Sequence, residues 1–165
     1  MGGCVTKQKQ STSEQDEMDV LHFTNLNVDW KDTIPFVPPV GDCLCIKVYD
    51  GDTITVASKM PWSESPLYRF SVRLNGIDTP EIKGKDEAEK RIAVKARDAL
   101  GEKILQKQLM LKNVTTEKYG RLLADVYCNG VHLNKWMIDQ RYAVEYDGGT
   151  KNSPANWETF HNSKL

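Results

Sequence analysis

Short apolar runs separated by polar turns recur along the chain from about residue 43 onward, and five of them predict β-strands. They are "CLCIKVY" (43–49), "TITVAS" (53–58), "LYRFSVRLNGI" (67–77), "LMLKNVTT" (109–116) and "LLADVYC" (122–128). Runs of this length that are rich in β-branched and aromatic residues and end at Gly, Pro, Asn or Asp are typical of strands. The first two are separated by Asp50-Gly51-Asp52, which predicts a tight hairpin.

A different spacing follows the third run, where apolar residues return every three or four positions and predict a helix. The apolar stripe consists of Ile92, Ala96, Ala99 or Leu100, and Ile104. Asp86, Glu87 and Glu89 suit the positive N-terminal end of this helix. The spacing of Asp86 and Lys90, and of Glu87 and Arg91, predicts two i,i+4 ion pairs on its solvent side.

Two further segments predict helices in the last third of the chain. "VHLNKWMIDQRYA" predicts a second helix, and the side chains expected to face inward are Leu133, Trp136 and Met137. "SPANWETFHNSKL" predicts a short terminal helix with Ser153 as N-cap and Pro154 at its first position. The order of elements predicts an α+β fold: a five-stranded OB-type β-barrel with a helix between strands 3 and 4, a second helix after strand 5 and a short C-terminal helix.

The beginning of the chain differs in composition from the rest, so we expect an N-terminal tail over residues 1–42 and a folded domain over residues 43–165. Residues 7–20 are polar and low in aromatic side chains, which is typical of a flexible spacer. Three lysines against seven acids give the tail a charge of -4, which leaves +3 on the domain. A slightly basic domain is compatible with a polyanionic partner without requiring one.

The first residues, "MGGCVTKQKQ", fit the N-myristoylation pattern M-G-x-x-x-[ST] at Gly2 and Thr6. Because one myristate gives only marginal membrane binding, palmitoylation of Cys4 is the expected second anchor. The alternative is an unmodified tail that matches by chance. No apolar run approaches the roughly 20 residues of a membrane span, and no secretory signal is recognisable. We therefore expect an intracellular protein, at the cytoplasmic face of a membrane if lipidated and otherwise cytoplasmic.

Acidic residues cluster at two predicted strand ends, with Asp50 and Asp52 in the first hairpin and Asp78 and Glu81 after the third strand. Carboxylate and carbonyl oxygens are the ligands that a hard cation such as Ca²⁺ prefers. The alternative is that turns are simply rich in Asp, and this interpretation is the better one for Asp50 alone. The histidines are scattered and no C-x-x-C pair occurs, so we expect reduced cysteines and no zinc site.

Two arginines lie close to these acids in the predicted fold, Arg73 in the third strand and Arg121 at the start of the fifth. A guanidinium group binds phosphate through two parallel hydrogen bonds, although for one arginine alone a surface ion pair is the better explanation. Asn75-Gly76 predicts either a hairpin turn or a bulge. A bulge would bring Arg73 and Asp78 to the same face of the strand.

Three motifs in this order, "YDGDTITV", "VRLNGIDTPE" and "EKYGRLLADVY", resemble the staphylococcal nuclease-like (thermonuclease) family over about Cys43 to Ala143. In the family comparison, the stretch from Arg73 to Glu81 runs as one strand, and Gly76 is a bulge or a place where no side chain fits. The implied site consists of Asp52, Asp78 and the main-chain carbonyl of Thr79 as calcium ligands, Arg73 and Arg121 as phosphate-binding arginines, Glu81 beside the attacking water, and Lys118 and Tyr119 as nucleotide contacts.

The resemblance implies a nuclease that uses one Ca²⁺ ion to hydrolyse phosphodiester bonds of DNA and RNA, mainly single-stranded. It implies cleavage of the 5′ P–O bond, which leaves 3′-phosphate ends. The alternative is a non-catalytic module of the same fold that binds nucleic acid or protein. The Gly2 and Cys4 pattern is similar to that of lipid-anchored plant calcium-dependent nucleases of this family, which implies peripheral membrane association. Tyr142 and Tyr146 are out of step with the family's base-contacting tyrosines, and no obligate protein partner is inferred.

Overall fold

The structure, a computed structural model, describes residues 27–117 and 119–163. The predictions made for Gly2, Cys4 and Lys118 therefore lie outside the described residues. None of the helices within these ranges is long and apolar enough to cross a membrane.

The described residues fall into two compact units, 27–36 and 37–163. In the smaller unit, Trp30–Asp32 form one turn of 3₁₀ helix. The Asp29 side chain accepts a hydrogen bond from the Trp30 amide at 2.7 Å and so caps this turn. The larger unit contains all the other described helices and strands.

All five predicted strands are present in the larger unit. Their bounds are β1 (Asp42–Val48), β2 (Thr53–Ser58), β3 (Tyr68–Leu74), β5 (Gln108–Thr116) and β6 (Leu122–Cys128). The structure adds three strands of two residues each, β4 (Ile77–Asp78), β7 (Val131–His132) and β8 (Val144–Glu145). The sequence pattern does not predict these three, because two residues carry no periodicity.

The five long strands close into a barrel. β1 pairs with β2 and β5, β2 pairs with β3, and β5 pairs with β6, all in antiparallel orientation. β3 and β6 then pair in parallel, with Val72 opposite Leu122 and Leu74 opposite Ala124. This last pairing closes the sheet, so that each of the five long strands pairs with two of the others. The predicted α+β fold with an OB-type barrel is therefore confirmed.

Alternate side chains of the strands fill the barrel. Along β6, Leu122, Ala124 and Val126 are buried, whereas the residues between them are half-buried. Cys43, Cys45 and Cys128, the described cysteines, are buried free thiols. Burial raises the pKa of Cys43 to about 12 and that of Cys45 to about 11, so both stay protonated and unreactive near neutral pH.

The three predicted helices are present, with bounds α1 (Glu87–Ile104), α2 (Leu133–Asp139) and α3 (Trp157–Asn162). α1 buries the predicted stripe, in which Leu100 rather than Ala99 is the fully buried residue. It packs against β1 on one side and α3 on another. α2 buries Leu133 and Met137, and leaves Trp136 half-buried.

The two ion pairs predicted for α1 are wrong. Asp86 caps the helix N-terminus, because its carboxylate accepts a hydrogen bond from a backbone amide of the first turn. Lys90 pairs instead with Glu87, at 2.8 Å between Nζ and Oε1. Arg91 reaches across to Glu158 of α3, at 2.8 Å between Nη2 and Oε2. The Lys90–Glu87 pair lies within α1, whereas the Arg91–Glu158 pair links α1 to α3, and both are exposed and contribute little to stability.

The N-cap predicted for α3 is wrong as well. Asn156 caps this helix, because its Oδ1 accepts a hydrogen bond from the Thr159 amide at 2.8 Å. Pro154 therefore precedes the helix. The Ser153 hydroxyl lies 3.5 Å from Asp78 Oδ2, so this residue contributes to the candidate site instead.

Candidate active site

The β1–β2 turn carries Asp52 to the segment that follows β3. A Cβ atom placed on Gly51 would lie 3.0 Å from Thr79 Cγ2 and 3.1 Å from Ala96 Cβ, closer than side-chain atoms normally approach. Glycine therefore permits the turn to lie directly against Thr79. The Leu74 amide donates to the Asp52 carbonyl at 2.8 Å, which joins the turn to the end of β3.

The chain after β3 turns sharply at Asn75-Gly76. The Asn75 amide donates to the Ala124 carbonyl at 2.9 Å, and Gly76 takes a φ of +76°, which favours glycine. β4 then pairs with β8, and the Tyr146 amide donates to the Gly76 carbonyl at 3.0 Å. The expectation of one strand from Arg73 to Glu81 is therefore wrong. The alternative prediction, a hairpin in which the chain returns along β3, is wrong as well. Gly76 is needed for its φ and not for space, since a Cβ there would meet nothing within 4 Å.

Asn134 of α2 is a buried residue that holds this turn in place, and sequence reasoning missed it. Its Nδ2 donates to the Asn75 carbonyl at 2.8 Å and to the Ala124 carbonyl at 3.1 Å. Its Oδ1 accepts a hydrogen bond from the Val126 amide at 2.9 Å. The sequence does contain a signal for it: Asn134 lies between Leu133 and Met137 on the face of α2 that is expected to be buried, and a buried polar side chain must form hydrogen bonds.

Arg73 joins the two aspartates that were predicted to bind a metal ion. Its Nη1 lies 2.7 Å from Asp52 Oδ2, and its Nη2 lies 3.5 Å from Asp78 Oδ1. Both carboxylates are almost completely buried, and the Thr53 hydroxyl donates to Asp52 Oδ1 at 2.9 Å. Asp52 and Asp78 therefore share one guanidinium partner although 26 residues separate them in the chain.

Burial raises the pKa of the Asp52 carboxyl to about 7, and the neighbouring Asp50 carboxylate acts in the same direction. The Arg73 guanidinium opposes this shift by favouring the charged form. A further cation beside Asp52 would favour the carboxylate in the same way. Two buried acids that share a single guanidinium thus form a place where additional positive charge is stabilised.

Lys151 supplies a second cation to this group, and sequence reasoning did not select it. Its Nζ lies 2.9 Å from Asp78 Oδ1 and 3.0 Å from Glu81 Oε1. Glu81 is mostly exposed, whereas Asp78 is buried. The Glu81 amide donates to Glu89 Oε1 of α1 at 3.2 Å, which ties the acidic segment to the start of that helix.

Arg121 and Tyr119 reach the same region from the turn between β5 and β6. The Glu117 amide donates to the Arg121 carbonyl at 3.0 Å, and Gly120 takes a φ of +78°. The Arg121 side chain, which is about one-third exposed, forms an ion pair with Glu117. Tyr119 is largely exposed. Lys118, the remaining predicted nucleotide contact, lies outside the described residues.

These elements enclose one cavity of about 840 Å³. The predicted site residues that line it are Asp52, Arg73, Thr79, Glu81, Tyr119 and Arg121. Asp50, Tyr146 and Lys151 also line it. Asp78 does not line the cavity, but its Oδ1 contacts Arg73 and Lys151, which do. The structure thus brings the described members of the predicted site together, and adds Tyr146 and Lys151.

The predicted metal ligands in and beside this cavity carry oxygen donors, the type that a hard cation prefers. Within the described ranges, no group of three or more His, Cys, Asp or Glu side chains is placed to hold a metal ion. The predicted ligands are two carboxylates and one backbone carbonyl, so a bound ion would complete its shell with water and substrate oxygens. Ca²⁺ accepts such a set, because it takes six to eight oxygens in flexible geometry. Asp52, Asp78 and Thr79 therefore fit calcium by chemistry.

Comparison with known proteins gives relatives in plants, bacteria and fungi. A staphylococcal-like nuclease of Arabidopsis thaliana is 34% identical over 94 residues, which are 54% of this chain and 26% of that protein. An uncharacterized endonuclease of Haemophilus influenzae is 33% identical over 104 residues, 63% of this chain and 52% of that protein. A probable endonuclease of Schizosaccharomyces pombe is 32% identical over 99 residues, 54% of this chain and 43% of that protein. The chain spans about a quarter to a half of the length of these relatives.

The family described as staphylococcal nuclease homologue matches residues 71–162. The match begins within β3 and ends in α3, so it includes Arg73, Asp78, Glu81 and Arg121. The β1–β2 turn with Asp52 precedes it. More than half of the chain lies within the match, and the closed barrel with three helices agrees with it. The chain belongs to the staphylococcal nuclease family.

Proposed function

We propose that this protein is a calcium-dependent nuclease that hydrolyses phosphodiester bonds of single-stranded DNA and RNA. The observation that carries the proposal is the shared contact of Arg73 with Asp52 and Asp78 at a cavity that Arg121 and Glu81 also line. Acids and guanidinium groups at one cavity match the needs of phosphodiester hydrolysis, in which negative charge grows in the transition state. Membership of a nuclease family supports the same reaction.

The roles of the residues follow from their chemistry. Calcium held by Asp52, Asp78 and the Thr79 carbonyl would offset the charge of the phosphodiester and stabilise the transition state. Arg121 would bind non-bridging phosphate oxygens through paired N–H donors, and Arg73, whose Nη atoms face Asp52 and Asp78, would direct its remaining N–H donors to the phosphate. Arg121 exchanges its Glu117 partner for the phosphate. Glu81 is mostly exposed and either orients the attacking water or removes its proton.

The barrel and the family resemblance support a proposed substrate and product. Tyr119 lines the cavity and is largely exposed, and an aromatic side chain at this position suits an unpaired strand, while Lys118 adds a positive charge next to it in sequence. Stacking requires unpaired bases, so single strands are preferred to duplexes. The resemblance supports attack with cleavage of the 5′ P–O bond, which leaves 3′-phosphate ends.

The test is a cleavage assay with the purified full chain and heat-denatured DNA or RNA, with Ca²⁺ or with excess chelator. We expect cleavage that requires calcium, and a rate reduced about 10²- to 10⁴-fold in Glu81→Gln. Glu102→Gln, which changes an exposed glutamate of α1, should keep the normal rate. End-labelling after phosphatase treatment identifies the 3′-phosphate. Binding of nucleic acid without calcium-dependent cleavage would favour the non-catalytic module.

Lipid anchoring through Gly2 and Cys4 stays a prediction, since both residues lie outside the described ranges. We propose myristoylation of Gly2 and palmitoylation of Cys4, with peripheral attachment at the cytoplasmic face of a membrane. Gly2→Ala should remove myristate incorporation and release the protein from the membrane fraction. An equal membrane fraction in wild type and Gly2→Ala contradicts the proposal.

A further inference from the structure

Lys151 places its ammonium group between two of the site acids. Its Nζ lies 2.9 Å from Asp78 Oδ1 and 3.0 Å from Glu81 Oε1. Both distances are those of charge-assisted hydrogen bonds, so one ammonium group bridges two carboxylates. Asp78 Oδ1 already faces Arg73 at 3.5 Å. The same oxygen atom is therefore in contact with two positively charged side chains.

The segment that carries Lys151 is folded back towards the site by hydrogen bonds of its own. Tyr146 is fixed at its start by the bond from its amide to the Gly76 carbonyl, at 3.0 Å. The Gly149 amide donates to Asp147 Oδ1 at 2.9 Å, and Gly148 takes a φ of +90°, which closes a turn. This turn lies two residues before Lys151, whose ammonium group contacts Asp78.

The two cations at Asp78 differ in how easily they can leave. Arg73 is held by Asp52 at 2.7 Å, and its side chain is only 15% exposed. The Lys151 side chain is 47% exposed, so its ammonium group can turn into water without losing hydration. A divalent cation bound at Asp78 would repel a neighbouring ammonium group. Lys151 is therefore the group that must move.

We propose that Lys151 is a displaceable counter-ion of the metal site: it holds Asp78 and Glu81 in the metal-free protein, and a divalent cation must replace it to bind. The inference rests on the proposed function in one respect, that Asp78 binds the metal ion. Lys151 then lowers the affinity for calcium. In return, it neutralises the buried Asp78 when no metal ion is present.

Calcium titration by calorimetry tests this with the full chain. Lys151→Gln should bind Ca²⁺ about three- to tenfold more tightly than the wild type, as expected for loss of a competing, partly exposed ion pair. Lys135→Gln is the matched control, because it removes the same charge from an exposed lysine that pairs with Asp139 of α2. Its affinity should stay within twofold of the wild type. Lys151→Arg should resemble the wild type.

Asp78→Asn, which lacks the proposed ligand, should abolish calcium binding. If it does, two outcomes overturn the inference alone: Lys151→Gln binds calcium with the affinity of the wild type, within twofold, or it binds calcium more weakly. If neither the wild type nor Lys151→Gln binds calcium, both the proposed function and the inference fail. NMR of the wild type gives a second readout that does not depend on any variant. Calcium should shift the amide resonances of residues 147–152, and unchanged resonances there in a calcium-bound protein contradict the displacement.

Discussion

At the scale of single residues, Gly51 determines how close the β1–β2 turn comes to the rest of the candidate site. A Cβ atom there would press on Thr79 and on Ala96 of α1 at 3.0–3.1 Å. Both neighbours belong to packed segments, so neither can move aside without a cost in packing. The two predicted calcium ligands Asp52 and Thr79 can therefore lie close together because residue 51 has no side chain.

Gly51→Ala should destabilise the protein by about 1–3 kcal/mol, the usual cost of forcing an extra carbon into a packed place. It should also weaken calcium binding, because Asp52 and Thr79 are pushed apart. Urea denaturation and calcium calorimetry measure the two effects. Gly41→Ala is the control, since a Cβ at Gly41 meets nothing within 4 Å. If both variants behave alike, close packing at Gly51 is not what positions the turn.

At the scale of elements, the helices and the long strands could be predicted from the sequence, whereas the strands of two residues could not. The strands of six to nine residues and α1 carry enough apolar positions to show their period. β4 and β8 have two residues each, and their pairing is what separates Asp78 from β3. Arg73, Asp78 and Glu81 could be selected because they lie in one stretch of nine residues. Lys151 could not be selected from the sequence, because it lies 70 residues after Glu81 and its position depends on the β4–β8 pairing and on the turn that follows β8.

Asn134 connects three of these elements, since it bonds to β6 twice and to the turn at Asn75. Asn134→Ala should lower the free energy of unfolding by about 3 kcal/mol, at roughly 1 kcal/mol for each of three lost bonds. Urea denaturation provides the measurement. Lys135→Ala, next to it on α2, removes only an exposed ion pair with Asp139 and should cost less than about 0.5 kcal/mol.

Asn134→Ala also distinguishes an effect on stability from an effect on the candidate site. If the turn at Asn75 depends on Asn134, the variant should lose nuclease activity at temperatures where it is still folded. A variant that is destabilised by the expected amount but keeps full activity would show that the β4–β8 pairing positions Asp78 without help from Asn134.

At the scale of the whole molecule, the candidate site draws on four separate parts of the chain. Asp52 comes from the β1–β2 turn, Asp78 and Glu81 follow β3, Arg121 follows β5, and Lys151 lies between β8 and α3. A ligand that binds such a site connects segments that are distant in sequence. Because the unfolded chain cannot hold these groups together, binding must stabilise the folded barrel.

Calcium at one hundred times its dissociation constant should therefore raise the free energy of unfolding by about 2.7 kcal/mol, measured by urea denaturation with calcium and with chelator. Asp78→Asn should remove this gain, because the carboxylate shared by Arg73 and Lys151 is the proposed ligand. Asp98→Asn should keep it, since Asp98 lies exposed on α1 and pairs with Arg97 at 2.7 Å. An equal gain in Asp78→Asn would place calcium at some other part of the molecule, and the metal-dependent mechanism proposed for this cavity would fail.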